Sequence, residues 1–345
     1  MKTTFLFCAT VIASLSITSC VTETKTEPVK KTDISEFLGQ WTIDIKGGSV
    51  GWLEVRQEKN YLDGDILWGG GSVLPVSGMF LARDQILVVQ RSNNVVRSKD
   101  TANMRTQVIT SWMEITKAGE KINGILLSPR RNCLSVDTTT FTGTKLPSVP
   151  PAPNMATLKF GKPITLFNGK DLTGWKPINE KQKNGFTVEN GVLTNNPVQA
   201  EGAAHLSYGN IRTEQVFEDF NLKIDVNVPA GSNSGIYLRG MYEIQVMDTY
   251  KKELDTHNMG AVYSRIKPVV GAEKPAGTWQ NLDITLCDRH ITVILNGIKI
   301  IDNQPVYGPT GGAIISDVFS AGPIYLQGDH GAVHFRNITL TPIVK

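Results

Sequence analysis

"NSGIYLRGMYEIQVMD", residues 233–248, sets an arginine, a glutamate and a glutamine into a run that otherwise reads as buried strand. Strand residues point alternately to opposite faces. In this run Tyr242, Ile244 and Val246 therefore share one face, and Glu243, Gln245 and Met247 share the other. The same count puts Gly235, Tyr237 and Arg239 together, and Asp248 closes the run where a bulge or turn could aim it back. If the two halves are neighbouring strands, Arg239 and Glu243 meet on one surface. That surface is either a solvated sheet face carrying an ion pair or a groove built for a polar ligand.

Outward from this run the pattern stays β. "FTVENGVLTN" and "ITVILNGIKIID" carry Asn-Gly turns at Asn190-Gly191 and Asn296-Gly297, a strong hairpin signal. "FNLKIDVNVP", "TWQNLDITLCD" and "VHFRNITLTPI" alternate in the same way, and Trp279 reads as an inward-facing residue beside Leu282 and Ile284. No long amphipathic helix is present, and a two-sheet antiparallel jelly-roll sandwich buries one face of each sheet at this length. Upstream, "LPSVPPAPN" (residues 146–154) favours an extended spacer. Before it, eight short strands with Gly, Asn or Asp at their turns predict a small β-barrel or sandwich. Its tryptophans, Trp52, Trp68 and Trp112, suit a core better than a sugar platform. "WGGGS" (residues 68–72) reads as a flexible turn, because no helix follows to make a phosphate loop. The fold expected is all-β throughout, with a barrel-like unit at 33–146, a linker at 147–157 and a sandwich at 158–345.

The amino terminus has the form of a bacterial lipoprotein signal. Met1-Lys2 precedes an apolar run, and Ile17-Thr18-Ser19-Cys20 supplies a cleavage site before a thiol to be lipidated. Residues 20–32 lack large apolar side chains and read as a tether. This places the protein on a lipid anchor in the envelope of a Gram-negative cell, at the outer membrane or in the periplasm. The remaining thiols, Cys133 and Cys287, are expected buried and reduced, and no metal-type cysteine spacing exists. A net charge of +3 without a basic stripe gives no reason to expect nucleic acid.

Several stretches of the second unit, taken together and in order, carry a family resemblance: "ITLFNGKDLTGW", "NIRTEQVFEDFNLKIDVNVPAGSNSGIYLRG", "YEIQVMD", "PAGTWQNLDITLCDRHITVILNG" and "IYLQGDHGAVHFRNITL". They resemble the 3-keto-disaccharide hydrolase family, formerly a domain of unknown function. The first unit lies outside that resemblance, although its Gly39-Gln40-Trp41 resembles the Gly-x-Trp opening of lipocalin-type barrels. The resemblance implies a concanavalin A-like jelly-roll sandwich and cleavage of glycosides that a partner sugar oxidoreductase has oxidised at carbon three. A ketone there acidifies the hydrogen on carbon two, so a base can remove it and the enolate can expel the group on carbon one, by elimination or net hydrolysis. Such a site needs a base of tuned pKa and donors or a cation for the enolate oxygen.

Within that frame Glu243 and His330 are the candidate base, His330 standing in a Gly-flanked loop beside Asp329, which either orients it or serves the turn. Arg239, Gln245, Asn233, Tyr263, Glu214 and His257 are candidate substrate contacts. Glu243, Asp248 and His330 form an oxygen and nitrogen set suited to a divalent ion such as Ca or Mn. Two other readings stay open. One is a lectin-like carbohydrate-binding lipoprotein, since fold does not fix function. The other is a glucanase-like hydrolase, weakened because Gln245 and Met247 stand where a second acid is needed.

Overall fold

The computed structural model describes residues 33–83, 85–97, 105–200 and 205–344. The signal, Cys20 and the tether lie outside them. Among the described residues no helix is long and apolar enough to cross a membrane. The chain is all-β, with its strands in two bodies that each have a separate core.

The first body is one curled antiparallel sheet. Its strand Gly39–Ile45 lies between Ser49–Gln57 and Val136–Lys145, so the start and end of the unit pair with each other. From there the sheet meanders back through Lys121–Pro129, Thr106–Ala118, Ile86–Val96 and Gly78–Ala82. Alternation sends Trp41, Ile43, Leu53, Val55, Val89, Met113 and Ile115 into one apolar cluster. Trp41 is fully buried and donates its indole N–H to the Phe37 carbonyl at 2.8 Å, which settles the polar end of a large side chain.

The second body is a sandwich. One layer runs Phe186–Glu189, Val192–Asn195, Val333–Val344, Phe220–Asn227, Trp279–Cys287, His290–Leu295, Ile298–Pro305. The other has five strands, Trp175–Pro177, Ile211–Thr213, Tyr325–Leu326, Asn233–Leu238 and Tyr242–Met247. Leu222, Ile224, Leu282, Ile284 and Phe335 of the first layer meet Ile236, Tyr242, Ile244 and Val246 of the second in one core. Trp279 is not in it. It stands an odd number of residues from Leu282 and so faces outward, where the Arg336 guanidinium covers its ring at 3.9 Å. Cys287 is buried as expected, whereas Cys133 is exposed at a turn with φ of 58°.

The two bodies touch through Trp52, which sequence placed in the core of the first. Its indole N–H reaches the Tyr307 carbonyl at 3.2 Å and its ring stacks on the Arg265 guanidinium at 4.0 Å. Gly308 makes the approach possible, because a Cβ there would collide with the indole. Burial lowers the pKa of Arg265 to about 10, so the aromatic face and the Pro309 carbonyl compensate a desolvated cation. Trp52→Ala removes the stack and leaves a void. It is expected to cost about 3 to 5 kcal/mol and to split one thermal transition into two in scanning calorimetry.

Candidate functional site

Strands Asn233–Leu238 and Tyr242–Met247 pair antiparallel, with Tyr237 opposite Glu243 and Gly235 opposite Gln245. Tyr242–Met247 is the end strand of its sheet. Residues 260–263 cover its free edge, with Gly260 N–H donating to the Gln245 carbonyl at 2.8 Å and Tyr263 N–H to the Glu243 carbonyl at 3.0 Å. This fixes Tyr263 beside Glu243. Tyr237, Glu243 and Tyr263 line a cavity of about 300 Å³, joined by Asn233, Gln327 and His330. Its size is at the low end for small-molecule sites and suits a small sugar.

Glu243 is 4% exposed, and burial pushes its carboxyl up to about 8 even though the Tyr237 hydroxyl works in the opposite direction. The Tyr237 oxygen lies 2.8 Å from Glu243 Oε2 and 2.7 Å from the Gly311 carbonyl. One hydroxyl hydrogen cannot serve both fully. With Glu243 neutral, its own O–H donates to Tyr237 and Tyr237 donates to Gly311; with Glu243 ionised, Tyr237 turns its hydrogen to the carboxylate. Tyr325 stacks on Tyr237 with centroids 3.7 Å apart and donates to the Gly312 carbonyl at 2.6 Å. Both phenols are held well above their ordinary pKa by burial, and so remain donors.

Glycines make the room. A Cβ at Gly235 would collide with Glu243 Oε1 and lie 3.0 Å from Cδ and Cγ. A Cβ at Gly312, whose φ is +83°, would sit 2.6 Å from the Tyr237 oxygen. Thr310 anchors this loop by accepting the Glu243 backbone N–H at 2.9 Å.

One wall comes from the first body. Gly70 and Gly71 line the cavity, Gly71 packs backbone to backbone on Gly311, and Gly312 N–H donates to the Gly69 carbonyl at 3.3 Å. Ser72 Oγ lies 3.0 Å from His257 Nε2 and 3.3 Å from the Tyr263 hydroxyl, and Val73 N–H donates to Ser264 Oγ at 2.9 Å. "WGGGS" is thus a built part of the site and not a free turn. Its glycines are the only local signal of that role, since they permit close backbone approach.

The sequence candidates fall into two groups. Glu243, Asn233, Tyr263 and His330 converge on the cavity, and His257 stands behind Tyr263 with its ring edge-on at 4.9 Å. Asn233 and Gln327 line the cavity, and their side-chain oxygens are buried without hydrogen-bond partners. The rest lie elsewhere. Arg239 sits in the tight connection between the two strands with φ of 55°, and its guanidinium clamps the Val318 carbonyl at 2.8 Å and the Ser320 carbonyl. Gln245 shares the face of Glu243 but is sealed at 2% exposure, its Oε1 accepting the Val246 N–H. Glu214 is exposed beyond the strand Ile211–Thr213. Asp248 accepts the Gly231 N–H at 3.0 Å and closes a turn, and Asp329 accepts the Tyr208 N–H at 2.6 Å, so it serves its loop and not His330.

The expected metal set does not assemble. Among the described residues the group of three potential ligands lying within 4.8 Å of one another is Asp219, Cys287 and Asp288, away from this cavity. Glu243, Asp248 and His330 do not form such a group, and Asp248 Oδ2 accepts the Gly231 N–H. Glu243 and His330 are the carboxylate and the imidazole that line the cavity among the described residues.

A family profile described as the 3-keto-alpha-glucoside-1,2-lyase-like domain matches residues 162–341, just over half of the chain. The chain belongs to that family. Two crystal structures of Parabacteroides distasonis proteins, each classed provisionally as a glycosyl hydrolase, are similar to it. One is 30% identical over 55% of this chain and 92% of its own, with a TM-score of 0.42; the other is 24% identical over 52% and 92%, with a TM-score of 0.43. The kappa-carrageenase of Pseudoalteromonas carrageenovora, in complex with a carrageenan oligosaccharide, is 10% identical over 57% of this chain and all of its own, with a TM-score of 0.37. A search of curated proteins finds no match. The match to the 3-keto-alpha-glucoside-1,2-lyase-like family covers the sandwich that carries Glu243 and leaves out the loop at 69–72.

Proposed function

We propose that the protein cleaves 3-keto-glycosides by proton abstraction at carbon two and departure of the group on carbon one, with Glu243 as the base. The observation that carries this reading is a buried carboxyl with a pKa raised to about 8, set in a small cavity that no second carboxylate among the described residues lines. Ordinary glycosidases need two opposed carboxyls. Elimination beside a ketone needs one strong base, and a carboxylate gains basicity when burial raises its pKa. Asn233 and Gln327 would hold sugar hydroxyls, and His330 at the mouth would donate to the enolate oxygen. The substrate would come from a sugar oxidoreductase, and a lipid on Cys20 would hold the enzyme in the envelope where the two meet.

The test is direct. The chain from residue 33 onward, given a 3-keto-glucoside and its parent glucoside, should release aglycone and develop enone absorbance with the keto sugar alone. Because the base must be ionised in the free enzyme, kcat/KM should rise with pH and level off above about 8. A profile that falls through that range would make Glu243 an acid and overturn its role as base. Cleavage of the parent glucoside at a similar rate would overturn the keto requirement.

A further inference from the structure

Glu243 and Tyr263 both line the cavity, and the Tyr263 hydroxyl begins a chain of polar contacts leading out of it. From Tyr263 the contacts run 3.3 Å to Ser72 Oγ and 3.0 Å onward to His257 Nε2. His257 is 40% exposed in its side chain, so it is open to water, while Tyr263 faces the cavity. Asp255 Oδ2 lies 3.7 Å from His257 Nδ1 and Thr256 Oγ1 lies 3.5 Å from it. The Tyr263 ring packs edge-on against the imidazole. The middle member of the chain belongs to the other body: Ser72 is 185 residues from His257 and 191 from Tyr263.

We propose that Tyr263 is the acid that protonates the departing oxygen and that Ser72 and His257 resupply its proton from solvent. This rests on the function proposed above. As the enolate collapses, its electron pair re-forms the carbonyl at carbon three, a double bond forms between carbons one and two, and the carbon–oxygen bond at carbon one breaks with its pair on the leaving oxygen. That oxygen takes the Tyr263 proton. The Ser72 hydroxyl hydrogen passes to Tyr263, the Nε2 proton of His257 passes to Ser72, and the His257 ring takes a proton from water at Nδ1. Glu243 ends with the proton from carbon two and releases it to solvent, which balances the proton that His257 takes from water. Tyr263 touches the substrate, whereas Ser72 and His257 act through it. On this account the first body is part of the catalytic apparatus and not merely a carrier.

Leaving-group dependence tests it. An acid matters when the departing oxygen is strongly basic and hardly at all when it is a nitrophenolate. In the full chain from residue 33 onward, Tyr263→Phe, Ser72→Ala and His257→Asn should each lower kcat on an alkyl 3-keto-glucoside by about 10²-fold. The loss on the 4-nitrophenyl 3-keto-glucoside should be at least about tenfold smaller than on the alkyl one, and Ser72→Thr, which keeps a hydroxyl, should recover most of the loss on the alkyl substrate. Equal losses on both substrates, or none on either, would overturn the relay while leaving the keto-glycoside activity standing. A parent enzyme inactive on both substrates would overturn that activity and the relay with it.

Discussion

Glu243→Gln is expected to abolish cleavage of 3-keto-glycosides and at the same time to make the protein more stable. Removing the base should lower kcat by about 10²- to 10⁴-fold. The stability gain follows from linkage. The folded state holds the Glu243 proton up to a pH of about 8, whereas the ordinary value is 4.5, so between these limits the unfolded chain is the more ionised and stability declines as pH rises. At neutral pH the offset of roughly two to three pH units corresponds to about 3 kcal/mol. Glutamine keeps the shape without the ionisation, and its gain should vanish below pH 4.5 and grow toward pH 8. Urea unfolding at both ends of that window measures it. A variant equally stable at each pH would mean that the carboxyl is solvated in the folded state.

The second large effect is expected at a position with no functional group. Gly235→Ala places a methyl against Glu243 Oε1, on a strand held between Tyr325–Leu326 and Tyr242–Met247 that has little freedom to withdraw. The carboxylate must rotate or shift, and misplacement of a reacting group by about an ångström costs about 10²-fold in rate. The accompanying overpacking should cost about 1 to 3 kcal/mol. Activity on the 3-keto-glucoside within a few fold of the parent would show that Glu243 works from another rotamer than the one seen.

Much of the framework was legible because alternation is local. Tyr242, Ile244 and Val246 face the core and Glu243 faces the cavity, as period two requires. Trp279 misled because its neighbours were read without counting parity. Arg239 misled for a different reason: its φ of 55° takes it out of the strand, so alternation no longer predicts its direction, and its guanidinium turns to the 318–320 carbonyls. Left-handed backbone costs a non-glycine residue about 1 kcal/mol or more, and those two carbonyl contacts offset it. Ser72 had no local pattern at all, since its partners are nearly two hundred residues away. Tyr237 shares the face of Gly235 by the same count, but its close approach to Gly312 has no local sequence signal.

The edge cover at 260–263 has a consequence outside catalysis. An uncovered end strand offers a row of free backbone groups onto which another copy of the chain can add, the usual seed of aggregates. Here the segment that brings Tyr263 to the cavity also blocks that addition along Tyr242–Met247. Mutational drift that loosened this segment in search of a wider substrate range would expose a sticky edge at the same moment. Solubility therefore constrains how far the pocket can be remodelled on its Tyr263 side, and leaves the glycine loop of the first body as the freer wall for new specificities.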